Sequence, residues 1–293
     1  MMKIAFVGVG KMGLPMATHL RSAGHAVAAF DPGPAAQQRA RQAGLEVAES
    51  FEAAAADAEV IVSSLSNDAV LLAVADQIAA RSRGRCSWID TSTVSVAASA
   101  SAAERVAEAG VPHLRATVSG NASMAEAAQL TVMASGPREL YAALLPLLAC
   151  WGPRQFYLGD AEQARLMKLV INLMIAHTTA ALSEALTLGR KGGLEWSDLW
   201  AVISESAVAS PIVKAKGRQL VDRDFSPTFT VEQMRKDLHL IMEAGTQLGA
   251  PLPLTSQVAA QQSAADEAGF GAEDYAAVIK LAEQAAGLPI DRT

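Results

Sequence analysis

The chain has 293 residues, 51% of them hydrophobic and 18% charged. That is enough apolar material for a sizeable core in one or two domains, and it excludes an intrinsically disordered chain. A net charge of −6 without any basic block argues against nucleic acid or an anionic membrane surface as partner.

In chain order, the first apolar run, KIAFVGV (3–9), reads as a strand. It is too short for a signal peptide and passes at once into a glycine-rich turn. Further strands are expected at 26–31 (AVAAFD), 59–65 (EVIVSSL), 86–92 (CSWIDTS), 111–118 (VPHLRATV) and 130–136 (LTVMASG), with a short last one at QFYLG ending near Gly159. Ala-rich helical stretches separate them, for example 12–23, 67–81 and 95–109. Strands alternating with helices imply a mostly parallel sheet covered on both faces. From about Ala161 the pattern turns to helices alone, at 161–191, 196–208, 229–249, 254–268 and 273–286. Gly192-Gly193 supplies a helix stop and GAPLP (249–253) a break. No run of about 18 consecutive apolar residues occurs, so no membrane span is expected. Cys86 and Cys150 lie far apart and match no metal or redox spacing, which fits a reducing cytoplasm.

The turn after the first strand reads Gly8-Val9-Gly10-Lys11-Met12-Gly13. A lone G-x-G-x-x-G is weak, but here it follows an apolar strand and opens a helix, the context the motif requires. Gly8 would permit the tight turn, Gly10 the approach of a pyrophosphate, and Gly13 close helix–strand packing. The helix N-terminus would face the phosphates with its free N–H groups. Asp31, at the end of the second strand, is placed to accept from both ribose hydroxyls of NAD and to repel the 2′-phosphate of NADP. NAD is therefore favoured, with NADP as the alternative. The competing reading of Asp31 is that it only starts the DPGP turn. The fold class is thus α/β: an N-terminal Rossmann-type doubly wound sheet over 1–160, then an all-helical substrate and oligomerisation domain over 161–293.

The segment 161–191 forms one long helix of roughly 46 Å at the standard rise. It carries Lys168 in an apolar run, with Asn172 about 40° round and one turn along the same face. Arg165, Thr179 and Ser183 fall near that stripe. A helix apolar on nearly all sides belongs in an interior, so the polar stripe is expected to face a cleft or another chain. His177 should point the other way, packed or hydrogen-bonded. The plain reading of Lys168 is a surface lysine whose stem covers apolar neighbours. Against it, the chain holds only eight lysines, so its surface is otherwise decorated with Arg, Glu and Gln.

Taken together these motifs resemble the β-hydroxyacid dehydrogenase family, the group of 3-hydroxyisobutyrate dehydrogenase, over nearly the whole chain. GVGKMGLPMA (8–17) is similar to its cofactor turn, DTSTV (90–94) to its loop near the nicotinamide, and VSGNASMAEAAQLTVMASG (118–136) to its substrate-binding segment. KLVIN (168–172) has its catalytic Lys and Asn, and KDLHLIMEAGTQLGAPLPL (236–254) is similar to its C-terminal cofactor segment. The resemblance implies that Lys168 is the general acid/base and that Asn172 orients the substrate and that lysine. It implies that Ser119 and Gly120, with Asn121 beside them, bind the substrate carboxylate. Gly8, Gly10, Lys11, Met12, Gly13, Asp31, Leu65, Ser66 and Thr93 would hold the cofactor, and Lys236, with Asp237, would close over it. No metal is implied, and a homodimer or homotetramer is. A free lysine, with pKa ~10.4, is a poor base at neutral pH. Burial and a nearby cation would lower that value.

The sequence departs from the family at several points. Asn121 stands where a second glycine usually follows Ser-Gly, and G-T-L reads Ala128-Gln129-Leu130. The glycine-rich approach to the lysine is replaced by GDAEQARLMK (159–168), and Asp-Ala-Pro by Arg115-Ala116-Thr117. Asn121 either contacts substrate or shapes its loop. Arg115 is either structural or the partner of a second acidic group on the substrate. Two rival functions are an imine reductase-like enzyme, which usually has Asp or Tyr in place of the lysine, and a catalytically inactive NAD(P)-binding sensor or scaffold, which would tend to lose it.

Overall fold

The computed structural model describes residues 1–82 and 86–290. The chain forms two compact units, Met1–Lys168 and Leu169–Thr293, which part inside the long helix.

In the first unit the strands are β1 (Lys3–Val7), β2 (Ala26–Phe30), β3 (Glu46–Val47), β4 (Val60–Ser63), β5 (Ser87–Asp90), β6 (His113–Ser119), β7 (Thr131–Ser135) and β8 (Arg154–Tyr157). The helices are α1 (Gly13–Ser22), α2 (Pro34–Gln42), α3 (Phe51–Ala55), α4 (Asp68–Ser82), α5 (Val96–Glu108), α6 (Ala122–Glu126) and α7 (Arg138–Leu148), followed by the start of α8 (Gln163–Lys191). They build one sheet in the order β3-β2-β1-β4-β5-β6-β7-β8. All neighbours run parallel except β6 and β7, which are antiparallel. The short α6 lies between these two and is too brief to serve as a crossover, since parallel strands need a dozen or more connecting residues.

The apolar run of β1 explains why the sheet is covered on both faces. Ile4 and Phe6 join a core with Met16, Leu20 and Leu114, whereas Ala5 and Val7 join another with Ile61, Leu71, Ile78 and Trp88. Residues alternate across a strand, so a strand buried on both sides reads as continuously hydrophobic. Most strands end earlier than the apolar runs suggest, although β6 runs one residue further, to Ser119. Val9, Asp31, Ser64 and Leu65 lie just past β1, β2 and β4, in the loops at the carboxyl edge. The two-residue β3 was not among the expected strands.

The second unit holds the rest of α8 and α9 (Trp196–Glu205), α10 (Pro211–Val221), α11 (Val231–Leu248), α12 (Pro253–Ala265) and α13 (Val278–Ala285). Helix α10 was not expected. Its start is set by Pro211 in the first turn and by Ser210, whose hydroxyl accepts from the Val213 N–H at 3.3 Å. Gly217 lies within it because Trp200 fills the space of a side chain there: a Cβ would come within 1.8 Å of the indole. The expected helix at 273–286 divides into a 3-10 turn at 275–277 and α13. Gly249 ends α11 in the left-handed conformation, φ +66°, as the GAPLP break suggested. Among the described residues α8 alone has the length and apolarity to cross a membrane, with mean hydropathy 1.4, but 44% of that stretch is buried within the protein.

Candidate active site

The site residues of the first unit gather at the carboxyl ends of β2, β1, β4, β5 and β6. The chain changes direction between β1 and β4, the switch point at which open α/β sheets bind ligands. Gly8 has φ +89°, and a Cβ there would lie 2.3 Å from the Ser64 carbonyl oxygen. A Cβ on Gly13 would lie 1.9 Å from the Gly8 carbonyl oxygen, so α1 and β1 touch through these glycines. Around Gly10 none of the described residues comes within 4 Å of that position. Helix α1 begins without a side-chain cap and without an acidic residue in its first turn. Its orphan N–H groups and positive end suit a phosphate. Two packed glycines, one open glycine and an uncapped helix start fit a dinucleotide. Lys11 is exposed and Met12 packs partly against the core.

Asp31 is held in a fixed attitude. Its Oδ2 accepts from the Val9 N–H at 3.0 Å and its Oδ1 from the Gly33 N–H at 2.8 Å. The carboxylate therefore closes the DPGP turn and also buttresses the glycine turn. Each oxygen keeps a further acceptor position, so the turn role leaves the carboxylate able to accept further hydrogen bonds.

Leu65 and Thr93 lie on neighbouring loops that share a buried network. The Leu65 N–H donates to Ser92 Oγ at 2.8 Å, and Ser92 Oγ donates to Asp90 Oδ1 at 2.6 Å. Ser63 Oγ also donates to Asp90 Oδ1, at 2.5 Å, and itself accepts from Trp88 Nε1 at 2.9 Å. The other oxygen, Asp90 Oδ2, is paired with the Arg165 guanidinium. Arg165 donates further to the Ser92 carbonyl and, at 3.0 Å, to Ser99 Oγ. Asp90 is 0% and Arg165 1% exposed. Such a pair is tolerated in an interior because the remaining donors and acceptors are also satisfied, and removing one partner costs about 3–5 kcal/mol. Ser66 lies next to Leu65, exposed, and accepts from Asn67 Nδ2 at 3.2 Å.

The polar stripe of α8, expected to face a cleft or another chain, is buried at Arg165, Asn172, Thr179 and Ser183. Asn172 Nδ2 donates to Asp237 Oδ2 on α11 at 2.5 Å, within the second unit. Lys236 stands 3.1 Å from the other oxygen of Asp237. Asp237 therefore fixes the Asn172 amide by its nitrogen and leaves Oδ1 as the acceptor end. Lys168, half-buried, lies one turn before Asn172 and three residues after Arg165 on the same helix. His177, as expected, is turned to a hydrogen bond, 3.0 Å from Thr255 Oγ1.

At the end of β6, Ser119 is followed by Gly120 with φ +137°, where a Cβ would meet Leu130 at 2.7 Å. Asn121 caps α6, its Oδ1 accepting from the Met124 N–H at 3.0 Å and from Ser123 Oγ at 2.8 Å. Its amide oxygen thus shapes the loop. Ala128 closes the same helix at φ +51°, with Gln129 N–H donating to the Met124 carbonyl at 2.8 Å. The left-handed conformation persists where the family usually has glycine. Arg115 is buried and paired with Glu162, which commits it to structure. Sequence reasoning placed Arg165 near the polar stripe and Asp90 in the DTSTV loop, but gave neither a role of its own and did not pair them; the charge in the apolar helix was read for Lys168 alone.

Residues 3–159 match the family described as the NAD binding domain of 6-phosphogluconate dehydrogenase, and residues 163–282 the NAD-binding family of NADP-dependent 3-hydroxyisobutyrate dehydrogenase. The chain is 32% identical to 2-(hydroxymethyl)glutarate dehydrogenase of Eubacterium barkeri, over 98% of this chain and 97% of that one. The chain belongs to the β-hydroxyacid dehydrogenase family. It is also 31% identical to L-threonate dehydrogenase of Pectobacterium atrosepticum, over 95% of this chain and 93% of the relative. The solved structure of Mycobacterium tuberculosis 3-hydroxyisobutyrate dehydrogenase with L-serine superposes with a TM-score of 0.88 at 32% identity, covering 96% of this chain and 99% of that one. The expected fold class, an N-terminal Rossmann domain followed by a helical one, is borne out, as is a nicotinamide cofactor, NAD(P).

Proposed function

We propose that this β-hydroxyacid dehydrogenase transfers a hydride between NAD(P) and a short β-hydroxy acid or its semialdehyde, with Lys168 as general acid/base. The observation that carries the reading is the setting of Lys168. It lies one turn past an arginine locked to the loop 90–94 and one turn before Asn172, whose amide is itself locked by Asp237. Bound NAD(P) would take the hydride from the hydroxyl-bearing carbon or return it. The glycines of the first turn and the start of α1 would hold its phosphates, Asp31 its ribose, and Leu65, Ser66, Thr93 and Lys236 its remaining surface. The Ser119 hydroxyl and the Gly120 N–H would grip the substrate carboxylate. The Lys168 amine would take the hydroxyl proton during oxidation, and its ammonium form would give the proton back to the carbonyl oxygen during reduction. Asn172 Oδ1 would accept from that amine or from the substrate hydroxyl.

Within this reading NAD is the preferred cofactor, since Asp31 already directs a fixed carboxylate to the end of β2. A homodimer or homotetramer fits the exposed apolar residues Met167, Val170, Met174 and Leu188 of α8, at 38%, 47%, 60% and 76% exposure. A cytoplasmic setting agrees with Cys86 and Cys150 forming no disulfide. The test is a panel of 3-hydroxyisobutyrate, 3-hydroxypropionate, glycerate and tartronate semialdehyde with NAD and NADP, read by the absorbance of the reduced nicotinamide. Turnover of at least one of them is expected. A panel without any turnover, by protein that binds NADH, would favour the sensor or scaffold.

A further inference from the structure

We infer that Arg165 is a positioning residue, which sets the place of Lys168 by clamping the first turn of α8 to the loop 90–94. This rests on the reading of Lys168 given above. Three observations, all within the first unit, carry it. Arg165 uses all three nitrogens at once: one on Asp90 Oδ2, one on the Ser92 carbonyl, and Nε on Ser99 Oγ at 3.0 Å. Its partners lie on β5, on the loop after it and on α5, so one side chain joins three elements. The same Ser92 also holds the Leu65 N–H at 2.8 Å. The guanidinium is therefore the common anchor of the loop after β4, the loop after β5 and the helix that carries Lys168.

Nothing in this cluster is available to a ligand, because Arg165 and Asp90 are 1% and 0% exposed. Its contribution is geometric. A planar fork with five donors holds three acceptors in fixed directions, whereas an ammonium carries three rotatable donors at one point on a flexible stem. An α-helix moves as a rigid rod over one turn, so a shift at Arg165 carries to Lys168 three residues on. A misplacement of about 1 Å at a reacting group can cost ~10²-fold in rate.

The experiment compares wild type, Arg165→Lys, Ser99→Ala and Lys168→Ala in the full chain. Arg165→Lys keeps a positive charge opposite Asp90 but cannot reach all three acceptors. With the hydroxy acid that turns over fastest in the panel, its kcat should fall by about tenfold or more, while KM and the NADH Kd stay within about threefold. NADH should bind at the wild-type stoichiometry. A merely structural arginine would lower the binding stoichiometry and leave kcat per bound site unchanged, which overturns the proposal. So does a kcat within twofold of wild type. Should Arg165→Lys not fold, Ser99→Ala carries the test. It removes a single acceptor, and its kcat should fall by about threefold at constant NADH affinity; an unchanged kcat overturns the proposal. Lys168→Ala separates the two claims: if it turns over normally, the role of Lys168 fails. If it is inactive and Arg165→Lys is not impaired, only the positioning role fails.

Discussion

His113 gives the sharpest test of the packing beneath the site. It opens β6, is 5% exposed, and stacks on Trp88 with ring centroids 4.1 Å apart. Among the described residues neither ring nitrogen has a hydrogen-bond partner. Burial, and after it the cations Arg115 and Arg165, hold its pKa well below the usual histidine value. The folded protein thus keeps His113 neutral where the unfolded chain, near the reference of ~6.5, takes up a proton. A group whose folded pKa is depressed leaves stability intact above the unfolded value and withdraws it as pH falls below that value. The loss runs at no more than about 1.4 kcal/mol per pH unit below that value, so at most about 2 kcal/mol between roughly pH 7.5 and 5.0. His113→Phe keeps a ring against Trp88 and removes the titration. Urea unfolding at both pH values, followed by tryptophan fluorescence, should show the acid loss of the variant smaller than that of wild type, by up to about 2 kcal/mol. Parallel curves would refute a buried, neutral His113. Trp88 also donates to Ser63 of the Asp90 network, which joins the stacked pair to that network.

Two further outcomes follow from local geometry. Asp31→Ala should cut the ratio of kcat/KM for NAD over NADP by about tenfold or more, since like charges near 4 Å repel by about 1–4 kcal/mol; an unchanged ratio removes Asp31 from cofactor choice. Ala128→Gly should raise stability in urea by up to about 1 kcal/mol, because an L-residue in the left-handed region costs roughly that much more than glycine; a loss of stability would show that the Ala128 side chain is needed for packing.

Much of this was legible in the sequence, for identifiable reasons. The two-sided sheet follows from uninterrupted apolar strands such as KIAFV. The glycine turn follows from its position between a strand and a helix. Lys168 and Asn172 were readable because their spacing is a helical turn. What was hidden depends on long-range pairing. The antiparallel step from β6 to β7 is not written in either strand's own pattern. Arg165 and Asp90 are 75 positions apart, and Asn172 and Asp237 are 65 apart, so no local spacing connects them. Helix α10 was missed because Gly217 weakens its propensity, and the reason for that glycine, the Trp200 ring, lies in another helix. The family resemblance supplied the roles that the residues alone left open, while the departures Arg115 and Asn121 gained local explanations only from the fold.

The central claim is that Lys168 moves the proton while the rest of the site binds. Lys168→Ala tests it most directly, with kcat for the fastest hydroxy acid and the NADH Kd measured on the same preparation. The account predicts a loss of about 10²-fold or more in kcat with NADH binding retained. A variant that keeps more than about a tenth of the wild-type kcat would contradict it, since general acid–base catalysis is worth at least ~10²-fold.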